Sequence, residues 1–219
     1  MKRILELGGV AAGIILVAFG IAAIALGSNG KSTVSSELKA QQIVGTPDMT
    51  PAGIKAEAAA AGLKNVSLPT CSVAGKSIDS GGRARCFAQY MRIHALEATG
   101  GLVYAQMGQY IAKPGTPKAE LTPDGATSNK DYALLDPATK QPVSNGARNV
   151  WVTETALTTA LNTSFMAQQL GNFGIVVGIA LLLSGIGFLV LAAGGALRTG
   201  AWFFGLRTAA PKGKPVVAA

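Results

Sequence analysis

The stretch Phe173-Gly-Ile-Val-Val-Gly-Ile-Ala-Leu-Leu-Leu-Ser-Gly-Ile-Gly-Phe-Leu-Val-Leu-Ala-Ala-Gly-Gly-Ala-Leu197 runs for 25 residues without a charge. As a helix rising about 1.5 Å per residue it crosses a hydrocarbon core of about 30 Å with some tilt. A core helix of a soluble protein shows a polar face in so long a window, and here Ser184 is the single polar side chain. A serine satisfied by its own helix backbone accounts for it without a permeant ion. The segment therefore reads as a transmembrane helix.

On its N-terminal side, Thr153 offers a cap oxygen with Glu154 in the first turn. From Thr155 no charge, Gly or Pro intervenes before Gly171. Leu157, Leu161 and Phe165 form one face and Thr158, Asn162 and Gln169 a polar, uncharged one. Residues 153–172 thus read as a helix that continues into the membrane and couples the preceding domain to the span, with Gly171 as its weak point. On the C-terminal side, Trp202, Phe203 and Phe204 suit the headgroup zone as an aromatic anchor. Arg198, Arg207, Lys212 and Lys214 make residues 198–219 a basic tail, disordered by composition around Pro211 and Pro215.

A second apolar run, Leu7–Leu26, has 20 uncharged residues. With Lys2 and Arg3 before it and Ala23-Ile24-Ala25 within it, it also fits a cleavable secretory signal. Signal cores are typically about 7–15 residues long, and the small-residue motif lies inside the run, so an uncleaved anchor fits better. Basic residues near span ends stay in the cytoplasm. That places residues 1–6 and 198–219 inside and residues 27–172 outside.

Only 14% of the chain is charged and 49% is apolar, against about a quarter charged in a soluble domain. The net charge of +8 divides as +1 for residues 1–6, +3 for residues 27–172 and +4 for the tail, where a basic segment beside an anionic leaflet explains it. Nucleic acid is not an expected partner. The lipid bilayer is, together with a membrane-protein or cell-envelope partner or a second copy of the chain.

The two cysteines, Cys71 and Cys86, lie in the same outer segment, where disulfides persist, and they are expected to be bonded. Closing such a loop of about 15 residues stabilises by about 3 kcal/mol in the chain-entropy model. Gly27–Thr33 reads as a connector, and Val34–Val44 is left as helix or strand. Thr50, Pro51 and Gly62 bracket a short helix over Pro51–Ala61. The spacing of Cys86, Phe87, Tyr90, Met91, Ile93 and His94 predicts a second over Arg83–Ala98, with Arg85, Gln89 and Arg92 as its wet face and Gly100-Gly101 ending it. Pro114–Lys130 is an exposed excursion. Tyr132–Leu135 and Asn149–Val152 are predicted strands, with turns at Asp136-Pro137 and Asn145-Gly146. The expected fold is a membrane protein of two transmembrane α-helices holding a small disulfide-bonded mixed α+β extracytoplasmic domain.

Gly9 and Gly13, and Gly174 and Gly178, fit a small-xxx-small pattern that permits close helix contact, as a hairpin or an oligomer interface. Catalytic machinery is sparse. The single histidine, His94, is a candidate general base, but on an apolar helical stripe it reads first as a packed or hydrogen-bonded residue. A zinc site from His94, Cys71 and Cys86 requires the disulfide to be absent. No two loop carboxylates can be paired from sequence, and no nucleotide or hydrolase motif is present. Neither span holds an ionisable residue, which disfavours transport by a lone chain. No cofactor or metal is expected.

Gln42-Ile-Val-Gly-Thr-Pro-Asp-Met-Thr-Pro51, Leu68-Pro-Thr-Cys71, Cys86-Phe-Ala-Gln-Tyr-Met-Arg-Ile-His-Ala95 and Asn149-Val-Trp-Val-Thr-Glu-Thr-Ala-Leu157 together resemble a family of actinobacterial two-span membrane proteins. The similarity runs from the first span through the second. Members often carry the name aromatic ring-opening dioxygenase of the LigA type. An extradiol dioxygenase holds iron typically on two histidines and a carboxylate, and this chain has one histidine. The resemblance thus implies a bacterial plasma membrane and two spans, and no activity. A non-enzymatic binding or accessory protein is the leading expectation. An oligomeric channel and an envelope enzyme using His94 are the alternatives.

Overall fold

The computed structural model describes residues 2–194. Four α-helices are present among them: α1 (Lys2–Ala40), α2 (Pro51–Ala60), α3 (Gly81–Ala98) and α4 (Gly146–Ala193). Three single-turn 3₁₀ segments lie between α3 and α4. The anchor residues Trp202, Phe203 and Phe204, the basic tail and the end of the second span at Leu197 lie outside the described residues.

Two helices, α1 and α4, are long and apolar enough to cross a membrane. Residues 2–29 and 171–194 belong to one compact unit and residues 30–170 to another. Within the first unit the outward faces stay apolar: Phe19 is 66% exposed and Leu183 63%, surface that water disfavours and lipid accepts. The helices run antiparallel, and glycines meet glycines along the seam. Gly13 lies against Gly185, Gly20 against Gly178 and Gly27 against Gly171, each pair seven residues from the next. Seven residues are two helical turns, so the contact stays on one face if the helices wind gently about each other. A Cβ added to Gly174 would stand at ordinary van der Waals distance from the facing helix, 3.7 Å from the Ala23 carbonyl oxygen. Gly9 is buried. The Ser184 hydroxyl donates to the Ala180 carbonyl one turn back, at 2.8 Å.

In the second unit, α2 begins where its sequence dictates. Thr50 Oγ1 accepts from the Gly53 amide at 3.0 Å, Pro51 fills the first helical position, and Gly62, at φ +68°, follows the helix end. Helix α3 ends at Ala98, capped by Thr99, and Gly100 and Gly101, both with positive φ, turn the chain away from it. Ile54 and Ala58 of α2 and Phe87, Tyr90 and Ile93 of α3 join Val73, Ile78, Trp151 and Leu161 in one core. Cys71 and Cys86 are disulfide-bonded, with Cα atoms 6.1 Å apart. The hydroxyl of the fully buried Tyr90 donates to the Cys71 carbonyl at 2.6 Å, fixing the same loop a second time. The exposed face of α3 is more than solvated charge: the Arg85 guanidinium lies 4.7 Å from the Phe165 ring centre and that of Arg92 5.4 Å from Trp151.

The mixed α+β expectation is corrected. Among the described residues no strand forms; there are isolated bridges, such as Tyr110 with Thr127 and with Ser144 and Leu135 with Pro142. Pro114, Pro117, Pro123, Pro137 and Pro142 remove amide donors along this stretch and keep single bridges from growing into ladders. Tyr132 ends a 3₁₀ turn. Asn149–Val152, the other expected strand, lies inside α4, which starts at Gly146 rather than at Thr153. Asn145 Oδ1 accepts from the Ala147 amide at 3.2 Å at that start, and the Thr153 hydroxyl donates back to the Asn149 carbonyl at 3.3 Å. Gly27–Thr33, read as a connector, is helical within α1.

Candidate functional site

The segment Gly45–Thr50 turns tightly into α2: the Met49 amide donates to the Thr46 carbonyl at 3.1 Å, and Met49 itself is buried. That anchors Asp48 at the rim of the core. Glu57 stands on α2 next to the buried stripe of Ile54 and Ala58, and His94 on α3 next to buried Ile93. Packing α2 on α3 therefore brings three polar side chains from three chain segments to one edge.

There, His94 Nε2 lies 3.1 Å from Asp48 Oδ2 and 3.4 Å from Glu57 Oε2. All three side chains are about equally half-buried, at 28%, 30% and 32% exposure for His94, Asp48 and Glu57. Burial alone raises the Asp48 carboxyl. Hydrogen bonds from Thr46 and from its own amide, with the charge and hydrogen bond of His94, outweigh burial and hold it below the ordinary 3.8. Asp48 is thus a carboxylate at neutral pH. The Tyr90 phenol is raised above 10.0 by burial and then by the Asp48 charge, so it stays a neutral donor to Cys71.

An open groove of about 530 Å³ surrounds the cluster. Val44, Met49, Phe87 and Met91 supply apolar wall, and Asp48, Glu57 and Glu97 supply negative charge. A second groove, of about 520 Å³, borders His94 and Met91 on the side of Asn149, Val150 and Thr153. An imidazole between two carboxylates can hold a cationic group, coordinate a metal ion, or move a proton.

His94 is thus placed beside carboxylates that sequence reasoning did not pair with it. Asp48 and Glu57 are separated in the chain by nine positions and His94 by a further 37 (57 − 48 and 94 − 57). The available signal was that Glu57 and His94 each border an apolar stripe on a helix and that Asp48 lies just before the first of them. Which edges of two helices meet is a tertiary fact, and the stripes alone leave it open. The set of His94 with Cys71 and Cys86 as zinc ligands does not arise, because both sulfurs are consumed in the disulfide.

No protein-family model matches this chain, and no curated protein or solved structure is similar to it.

Proposed function

We propose that this is a non-enzymatic binding or accessory protein of the bacterial plasma membrane, acting through residues 27–172 on the outer side. The carrying observation is the Asp48, Glu57 and His94 cluster in an open, acidic and partly apolar groove. Such a groove combines apolar area for affinity with fixed charge for orientation. Its charge favours a partner that presents a cationic group. The two apolar helices serve as anchor, and the basic flanks Lys2, Arg3, Arg198, Arg207, Lys212 and Lys214 support cytoplasmic termini.

The test is photo-cross-linking in intact cells from probes placed at Thr46 and Glu97, followed by purification in mild detergent and mass spectrometry. A reproducible partner joined at these positions, and lost on charge reversal at Asp48 and Glu57, is the expected result. No cross-link from the groove would overturn the reading. Self-cross-links confined to the spans would favour a homo-oligomer.

The Asp48 contact also favours a second reading, an envelope enzyme in which His94 is a general base oriented by a carboxylate. Replacing His94 by Gln without loss of an assayable phenotype removes it.

A further inference from the structure

We propose that Asp48, Glu57 and His94 bind one divalent transition-metal cation, of the zinc class, at the groove floor. The inference rests on the preceding reading that this groove is a site, and it names the chemistry the site takes. Its starting point is that both carboxylates address the same ring nitrogen, His94 Nε2, at 3.1 and 3.4 Å. A single N–H shared between two oxygens makes two weaker bonds than one directed at a single acceptor. An imidazolium held as a plain ion pair is better satisfied with one carboxylate on each nitrogen. Convergence of three donors on a common point is what a cation between them requires.

The spacing agrees. Zinc bonds to His N and carboxylate O are about 2.0–2.2 Å, which sets neighbouring ligand atoms about 3–3.5 Å apart in tetrahedral or octahedral arrangement. Two of the three separations already have that value, and all three donor atoms lie within 4.8 Å of one another. The third, between the two carboxylates, is within 4.8 Å, and Glu57 brings its oxygen there on a side chain that is 32% exposed.

The donor set selects the class of ion. One imidazole with two carboxylates suits zinc, manganese or ferrous iron, whereas magnesium and calcium prefer all-oxygen sets. Three protein ligands leave a coordination position toward the open groove, where water or a donor from a partner completes the shell. Glu97, in the same groove, adds negative charge that draws the cation in.

The test uses the full-length protein in mild detergent with its disulfide intact, stripped by chelator and titrated with Co²⁺ under visible absorption, then with Zn²⁺ in competition. The expected result is saturation at one cation per chain with a ligand-field spectrum. His94→Gln, Asp48→Asn and Glu57→Gln should each weaken binding about tenfold or more, since even outer-shell losses at metal sites cost about that much. Glu97→Gln, outside the proposed ligand set, should weaken it less. Near-ultraviolet circular dichroism confirms that each variant is folded, and the two carboxylate variants stand in if His94→Gln is not. Absence of saturable binding, or wild-type affinity in folded His94→Gln or in both carboxylate variants, overturns the site. Zinc binding without any cross-linked groove partner overturns the binding-protein reading and leaves the metal site. A groove partner retained by chelated protein that takes up no zinc overturns the metal site alone.

Discussion

Gly20 and Gly178 meet backbone to backbone: a Cβ added to Gly20 would stand 2.7 Å from the Gly178 carbonyl oxygen, and one added to Gly178 would stand 2.8 Å from that of Gly20. Neither neighbour is the end of a flexible side chain, so the helices must separate to admit a larger residue. Gly187, on the same helix as Gly178, has nothing within 4 Å of an added Cβ. Gly20→Leu should therefore cost about 1–3 kcal/mol through overpacking. Gly187→Leu should cost little. Thermal unfolding in mild detergent separates the two, and equal midpoints would mean that the helices do not approach closely at Gly20.

The two helices apolar enough to cross a membrane were legible because apolar length is a local property: the runs Leu7–Leu26 and Phe173–Leu197 need no partner to be recognised. Thr50-Pro51 and Gly62 were legible for the same reason, since caps act within one turn. The seam was legible only in part, through Gly13 and Gly178. Spacing of four suggested Gly9 with Gly13 and Gly174 with Gly178, while the packed pairs recur every seven residues, a choice that depends on how the facing helix winds. Asn149-Val-Trp-Val152 alternates over too short a run to separate a period of 2 from one of 3.6. Trp151 decides it, because as a helical residue it is buried at 3% exposure and reaches the Leu102 carbonyl. The His94 cluster was invisible because its members meet only through the packing of α2 on α3.

Two bonds hold the Cys71 loop, and they should be separable. Removing the disulfide by Cys71→Ser with Cys86→Ser should destabilise residues 30–170 by about 3 kcal/mol, the loop-closure value for about 15 residues. Tyr90→Phe keeps the ring and loses the hydroxyl that donates to the Cys71 carbonyl, so about 1 kcal/mol is expected. Urea unfolding followed by tryptophan fluorescence measures both. A larger effect from Tyr90→Phe than from loss of the disulfide would contradict this ordering.

Trp151 tests the corrected start of α4. Its Nε1 donates to the Leu102 carbonyl at 2.9 Å, and the Thr99 hydroxyl lies 2.7 Å both from that oxygen and from the Ala95 carbonyl, with one proton to give to either. Because the Leu102 carbonyl keeps a donor within reach, Trp151→Phe should cost only about 1–2 kcal/mol, from one hydrogen bond and a modest loss of volume. Trp151→Ala should cost about 3–5 kcal/mol. Urea midpoints followed by far-ultraviolet circular dichroism report both, and a mild Trp151→Ala would mean that this side chain is not in the core.

Asp124 governs part of the acid response. Its Oδ1 accepts from the Thr122 hydroxyl at 2.6 Å and from the Gly108 and Ala126 amides at 3.3 Å, and its Oδ2 from Asn145 Nδ2 at 2.7 Å. Burial alone raises this carboxyl, but the hydrogen bonds of Thr122, Gly108, Asn145 and Ala126 outweigh it and hold the group below its ordinary 3.8. The unfolded chain therefore binds the proton first as pH falls. The stabilisation is complete well above pH 3.8 and is lost as pH drops through that value to the lower one of the folded state. Asp48 and Asp136 are shifted in the same direction, so the acid slope of the whole protein has several contributors. Asp124→Asn removes one of them and places an amide NH₂ among donors, so it should be less stable at pH 7 and lose less further stability on acidification. Urea midpoints at neutral pH and about one unit below the carboxylate range provide the comparison. An undiminished acid slope in Asp124→Asn would show that this carboxylate, despite its four hydrogen bonds, does not contribute to the acid response.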